Sequence, residues 1–291
     1  MKQPIRVRVF SDIHLESYDT LNRRLLLRDL SETDAGDMVC AVGDSFTDPR
    51  GLSMLSWAFP RVPICSIAGN GEYYTGLPMD VTRDLYRATA RSLTSRRVAR
   101  APLYFLENNV EYVPFRSGVV RVIGMSMWTP FLDKSSVLRR DIMDGLSERY
   151  IGKGVVLPID AEGNETIADI LCRDFDYSRA FLAAQLALPH NGPTIVMTHH
   201  VPLLDGIVPE FRDHPALAEF VSWLDDLVHH PAVTLWVYGH IHQQRAWYTS
   251  EGALVLSGAK GRSYEGFSPR DYWGEMVGLS KIGGHWCASM L

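Results

Sequence analysis

Seven residues in this chain have types and placements suited to holding divalent cations: Asp12, His14, Asp44, Asn70, His199, His240 and His242. Asp12 and His14 stand two apart directly after Ile5-Arg6-Val7-Arg8-Val9, a run alternating apolar and polar residues. Two residues apart in extended backbone, their side chains leave the same side. A carboxylate and an imidazole converging there can grip one borderline divalent cation. The same spacing also occurs in plain surface loops. Asp44 and Asn70 each follow a glycine at the end of an apolar run, where a tight turn is the ordinary reading. His199-His200 could equally be a capped loop, and Gly239-His240-Ile241-His242 closes another apolar run. What sets these sites apart from chance is that all five follow candidate strands.

Those strands come from period-two alternation or short apolar runs bounded by turn residues. The first ends at about residue 10. Asp37–Val42 and Arg61–Ala68 follow, each ending in glycine and an oxygen ligand. The glycines before Asp44 and Asn70 allow a tight turn and close approach of backbone to a bound ion or phosphate. Helical spacing covers 18–30, with leucines at 21, 25, 26 and 27, and an arginine-rich stretch over 80–97. Strands alternating with helices in this way indicate a largely parallel α/β sheet, whose ligands bind beyond the carboxyl ends of the strands. Further strands are expected at 104–107, 110–114, 119–127, 193–197 and 233–238. Helices are expected at 175–188 and 217–228. A closing antiparallel set is expected at 244–248, 253–257 and 276–282. Between about 131 and 174 the pattern degrades around Gly152, Gly154, Gly163 and Asn164, with one short helix near 137–150. This reads as an insertion over the site within a single domain spanning 1–291.

Bulk composition narrows the classes. The 291 residues are 46% hydrophobic and 22% charged, ordinary for a folded globular chain. A net charge of −5 supplies no broad nucleic-acid-binding surface, although one basic pocket for a phosphate is compatible with it. No apolar run approaches the ~20 residues that span a bilayer, and Met1-Lys2-Gln3-Pro4 leads into the first strand without a signal-peptide core. Cys40, Cys65, Cys172 and Cys287 lack metal or disulfide-framework spacing. A reduced, cytoplasmic protein is expected, with Cys40 and Cys65 as small core residues. His229-His230, which no strand feeds, reads as a capped loop, and His190, His214 and His285 read as solvated surface.

The ordered set Asp12-x-His14, Gly43-Asp44, Gly69-Asn70, His199 and Gly239-His240-x-His242 resembles the calcineurin-like metallophosphoesterase superfamily. Trp128-Thr129 and Thr198-His199-His200 resemble its bacterial members. The resemblance implies a four-layer α-β-β-α sandwich of two mixed sheets, the metallo-dependent phosphatase fold. It also implies two divalent metal ions, drawn from Mn, Fe, Zn, Co or Ni. In it Asp12, His14 and His242 would hold one ion, Asn70, His199 and His240 the other, and the Asp44 carboxylate would bridge them. It implies in-line attack of a metal-bridging hydroxide on a small phosphoester or nucleotide substrate, with the cations clamping both sides of the displacement.

One position departs from the family's pattern. Gly-Asn-His-Asp/Glu is usual, and this chain has Gly69-Asn70-Gly71-Glu72. The absent imidazole is the one the resemblance assigns to the leaving group, alone or with the following acid, here Glu72. Losing a general acid costs ~10²–10⁴ in rate. Phosphodiesters or cyclic nucleotides are therefore favoured over phosphomonoesters, with glycine opening space for a base or sugar. His200 is the nearest substitute donor, so the expected catalytic set is Asp44, Asn70, Glu72 and His200. The alternative is a catalytically weak or inactive metal- and nucleotide-binding protein with a regulatory or scaffold role. Tyr73, Tyr74 and Trp128 could stack on a base or pack as core, and Lys260 and Arg262 could reach a phosphate or face solvent.

Overall fold

The computed structural model describes residues 3–95, 101–153, 166–265 and 274–291. Two six-stranded mixed sheets face one another. In the first, β1 (Ile5–Phe10), β2 (Met38–Val42), β3 (Ile64–Ile67) and β4 (Leu103–Leu106) run parallel. In the second, β5 (Asn109–Phe115) pairs antiparallel with β6 (Gly118–Met125). Strands β7 (Thr194–Thr198), β8 (Leu235–Tyr238) and β10 (Leu254–Gly258) extend β6 in parallel, and β9 (Gln244–Tyr248) closes the edge antiparallel to β10. The chain then returns to the first sheet as a hairpin of β11 (Glu275–Ile282) and β12 (His285–Met290), with β11 antiparallel to β1.

Alternation along the strands builds the layers. Met38, Cys40 and Val42 face a core shared with Val120, Val122, Ile195, Met197, Leu235 and Val237 of the other sheet. Their neighbours Val39 and Ala41 face the other way, into the layer that holds Leu26 and Leu30 of α1 (Thr20–Glu32) and Leu52 and Leu55 of α2 (Arg50–Ala58). The outer face of the second sheet holds Val196 and Trp236. Its layer includes Leu171, Phe175 and Leu182 of α5 (Ile167–Leu186). Strands buried on both faces read as continuous apolar runs, which is why β2, β7 and β8 are the plainest elements in the sequence.

Cys40 and Cys65 sit fully buried between the sheets, and burial pushes the Cys40 thiol up to about 12. No helix among the described residues is long and apolar enough to cross a membrane. The fold matches the expected sandwich, with several local differences. Helix α3 (Met79–Ser95) covers the expected 80–97, of which 96 and 97 lie outside the described residues. Within 131–174, residues 154–165 lie outside them, including Gly154, Gly163 and Asn164. The short helix expected near 137–150 is α4 (Arg140–Gly152). Helix α5 starts earlier than 175 because the Thr166 hydroxyl accepts from the Asp169 amide, completing a capping box.

The expected helix over 217–228 is not continuous. A 3-10 turn at Pro215–Glu219 gives way to a parallel bridge between Val221 and Val201, and only Asp225–Val228 forms α6. The amides of Val201 and Ser222 donate to Phe220 and Val201 carbonyls, so the segment after β7 takes the backbone groups a helix needs. Strand β12 was not expected from the sequence at all. Half of its residues are exposed and only Ala288 is buried, so its apolar pattern is weak.

Candidate metal centre

The carboxyl ends of β1, β2, β3, β7 and β8 meet at one place. Backbone bonds join the two sheets there: the Ser11 amide donates to the Gly258 carbonyl, and the Lys260 amide donates to Ser11. Asp12 follows β1, Asp44 follows β2, Asn70 follows β3, His199 follows β7 and His240 follows β8. Asp12, His14, Asp44, His240 and His242 all adopt positive φ, at 51°, 41°, 49°, 73° and 51°. Non-glycine residues rarely hold that conformation, and such strain collects where surrounding structure fixes a functional geometry. The chain must turn sharply at each strand end to aim these side chains inward. Gly43, at φ 82°, makes one such turn, and a Cβ there would lie 2.5 Å from both the Gly69 nitrogen and His199 Nδ1.

All seven expected ligands converge. Asp12, His14, Asp44 and His242 present ligand atoms that all lie within 4.8 Å of one another. His14 Nε2 lies 3.1 Å from His242 Nε2 and 3.3 Å from Asp44 Oδ2. Beside them, Asn70 Oδ1 lies 3.1 Å from His199 Nε2 and 2.8 Å from His240 Nδ1. His199 Nε2 also approaches Asp44 Oδ1 at 3.6 Å, so the two Asp44 oxygens face different sets of donors.

The far ring nitrogens are anchored. His14 Nδ1 contacts Glu16 at 2.8 Å, His242 Nδ1 contacts Glu265 at 2.7 Å, and His199 Nδ1 contacts the Val42 carbonyl at 2.9 Å. Oxygen partners on Nδ1 fix the tautomer that turns the Nε2 lone pair inward, as in histidine metal sites. Asn70 is oriented likewise, since its Nδ2 donates to the Tyr74 hydroxyl at 2.6 Å and leaves Oδ1 facing the histidines. Asp12 accepts the His240 amide at 3.1 Å on each oxygen.

The electrostatics agree with a cation site. Burial opposes charge on His14, but the Asp44 carboxylate and the Glu16 hydrogen bond outweigh it and push His14 up to about 9. Burial also raises Asp44, but the His199 and His14 imidazoles outweigh that and hold its carboxyl at about 2. The Asp44 and Asp12 carboxylates favour positive charge on the facing His14 and His199 rings, the charge that a bound cation would supply in place of their protons. Mixed nitrogen and oxygen donors without thiolate suit borderline divalent metals. The residues present fit such ions.

The centre forms the floor of a cleft of about 550 Å³. Asp44, Asn70, His240 and His242 line it, while Asp12, His14 and His199 sit behind them. Of the remaining expected catalytic residues, His200 lines the cleft and Glu72 does not. Glu72 Oε2 accepts the amides of Asp44 and Gly69 at 2.8 Å each, and Oε1 accepts the Ser45 amide at 2.9 Å. Burial and the neighbouring Asp44 raise its pKa. Its carboxylate therefore holds the two ligand-bearing loops together from behind. His200 is fully buried against Trp128 and His240, and burial together with His199 lowers it to about 3.

The space expected beside Gly71 is not there. A Cβ at this position would meet Asp44 Oδ1 at 2.9 Å, and the Gly71 amide already donates to that oxygen at 2.7 Å. Glycine here admits the Asp44 carboxylate rather than a substrate base. Tyr73 is core, with Trp128 5.6 Å away and the Arg83 guanidinium over its ring. Tyr74, Trp128 and Arg262 reach the cleft, whereas Lys260 is buried. Reasoning from the sequence did not find Glu16, Glu265, Arg149 or Lys153. Glu16 sits two residues past His14, a discernible signal. Glu265 lies 23 residues past the histidine it orients and gives none.

A sequence profile of the calcineurin-like phosphoesterase family matches residues 5–244. No curated protein matches the chain by sequence. Among solved structures, the fold is similar to a phosphopantetheinyl hydrolase from Mycobacterium tuberculosis, with TM-score 0.64 and 16% identity over 91% of this chain and 92% of that one. A dimetal phosphatase from Danio rerio is similar with TM-score 0.51 and 12% identity, covering 99% of both chains. The anchor of the Plasmodium inner membrane complex is similar with TM-score 0.50 and 11% identity, over 100% of this chain and 85% of that one.

Proposed function

The chain belongs to the calcineurin-like phosphoesterase family, and from that premise we propose that it hydrolyses a phosphodiester at a centre of two divalent cations. The observation that carries this reading is the placing of the Asp44 carboxylate, with Oδ2 3.3 Å from His14 Nε2 and Oδ1 3.6 Å from His199 Nε2. One carboxylate between two donor sets is what a pair of cations needs to share. Asp12, His14 and His242 would hold one ion, and Asn70, His199 and His240 would hold the other. When bound, the ions activate water near neutral pH and offset charge on the phosphoryl oxygens.

The chain's own residues do the positioning. Glu16, Glu265 and the Val42 carbonyl keep three imidazoles in the ligating tautomer, and Tyr74 keeps the Asn70 amide turned. Trp128, Phe131 and Phe220 wall the cleft with apolar surface, which strengthens electrostatic interactions at its floor. Hydrolysis forms a bond from water oxygen to phosphorus and breaks the bond to the leaving oxygen, which must collect a proton. With glycine at 71 no imidazole adjoins that oxygen from this motif. His200, neutral at pH 7, turns its Nδ1–H to the Ser126 carbonyl at 3.4 Å and holds no extra proton to transfer. Leaving groups that need little protonation are favoured, hence aryl or activated diesters over alkyl monoesters.

The test is a panel of an aryl monoester, an aryl diester, 2′,3′- and 3′,5′-cyclic nucleotides and a phosphopantetheinyl ester, each with Mn, Ni, Co and Zn. Diester kcat/KM is expected to exceed that for the monoester by at least ~10²-fold, the lower end of a general acid's contribution. Preference for the monoester would contradict the reading. A second reading is a binding protein with turnover near background. The observation in its favour is the same missing histidine at 71, and tight nucleotide binding without turnover would select it.

A further inference from the structure

Besides the ligands and their anchors, the cleft presents two further groups of side chains. The first is cationic. Lys153 Nζ lies 4.7 Å over the Tyr74 ring and donates to its hydroxyl at 3.4 Å. Arg262 enters the cleft from the loop after β10, and its Nη1 donates to the Tyr264 hydroxyl at 2.6 Å. Arg149 beside them is paired with Glu219. Among the described residues, Lys153 and Arg262 form no ion pair with a carboxylate. Burial and the neighbouring Arg262 and Arg149 charges lower the Lys153 pKa, a sign that the three cations crowd one another. Crowded like charges in a partly buried wall disfavour one another, and an anion seated among them removes that cost.

The second group is apolar. The Phe220 ring centre lies 4.8 Å from that of His240, and Phe211 lies 6.3 Å from Phe220. Ile207 lines the same stretch. Phe211 is 43% exposed, a large aromatic surface turned to a cleft rather than into the core. The cleft volume of about 550 Å³ falls within the ~300–1,000 Å³ of pockets that hold whole small molecules, and one phosphoryl group fills only part of it.

Resting on the phosphoesterase reading, we infer that the substrate is a phosphodiester with two unlike arms: an apolar one against Phe211 and Phe220, and one ending in a second anion between Lys153 and Arg262. The side chains that face the cations recognise the scissile phosphate, and these two subsites select what it joins.

The probes are diphenyl phosphate and 4-carboxyphenyl phenyl phosphate, identical except for the added carboxylate, with 4-carboxyphenyl methyl phosphate lacking the apolar arm. Their dissociation constants are measured by calorimetry on the Mn-loaded full chain, for the wild type and for a variant carrying Lys153→Gln and Arg262→Gln. In the wild type the carboxylate is expected to tighten binding at least ~10-fold, the effect of a charge-assisted hydrogen bond. Replacing phenyl by methyl is expected to weaken binding by a similar factor. In the double variant the carboxylate preference is expected to fall to about twofold or less. Equal affinity for the first two probes in the wild type overturns the inference, as does a preference that survives in the variant. Turnover of p-nitrophenyl phenyl phosphate is scored separately. Its absence alongside a retained carboxylate preference sinks the phosphoesterase reading and keeps the subsites, whereas turnover without the preference does the reverse.

Discussion

Asp44 and Glu72 are both buried carboxylates in adjoining loops, yet they face opposite ways. Asp44 turns its oxygens toward imidazoles, while Glu72 spends both of its own on backbone amides. Their isosteric amides therefore give different outcomes. Asp44→Asn removes the one charge available to both cations and is expected to reduce bound metal from two ions per chain to one or none by elemental analysis, with the fold intact. Full occupancy by two ions in that variant would contradict the bridging role. Glu72→Gln replaces one acceptor oxygen by a donor, so at least one buried amide loses its partner. An unsatisfied buried donor costs about 1–3 kcal/mol. The melting temperature is expected to fall by several degrees, about 2–4 °C per kcal/mol for a chain of this size class. Unchanged melting would refute the loop-holding role and return Glu72 to the catalytic set.

At the scale of elements, much of the centre is secured from outside it. Arg83 of α3 makes a two-pronged pair with Asp174 of α5, at 2.9 and 2.7 Å, and lies 3.4 Å from the buried Glu107. It also donates to the Tyr73 hydroxyl at 3.0 Å, and Glu107 accepts the Ser126 hydroxyl at 2.8 Å. The Ser126 carbonyl in turn accepts the His199 amide, so this network reaches the backbone that presents a ligand. Arg83→Met leaves Glu107 buried without its cation, a defect of about 3–5 kcal/mol. A fall in melting temperature on the order of 10 °C is expected from calorimetric or fluorescence melting. A change within a degree or two would show that the network is ornamental.

The strands that carry ligands were legible because each is an alternating or continuous apolar run stopped by a glycine or polar residue, and that signal is local. The 217–228 segment shows where it fails. Its apolar spacing is helical, but Val201 takes the Phe220 carbonyl and gives its own to the Ser222 amide, a competition between distant backbones that no period records. The anchoring of His242 by Glu265, the commitment of Glu72 to amides and the filled space beside Gly71 were hidden for the same reason, since each depends on how loops from different strands meet.

Across the whole molecule, the separation between Asp12 and His242 along the chain is erased by one architectural fact: the carboxyl ends of the parallel strands in both sheets point to the same edge. Bonds such as His199 Nδ1 to the Val42 carbonyl and the Ser11 amide to the Gly258 carbonyl tie the sheets together there. The two-sheet core sets the distance between the donor sets, and Asp44 spans it. The measurement that addresses this juxtaposition most directly is a crystal structure of the Mn-loaded chain with anomalous scattering recorded at the metal edge. Two peaks about 3.5–4 Å apart, one on each side of the Asp44 carboxylate, are expected from a shared dinuclear centre. A single peak, or metal bound away from Asn70, His199 and His240, would contradict it.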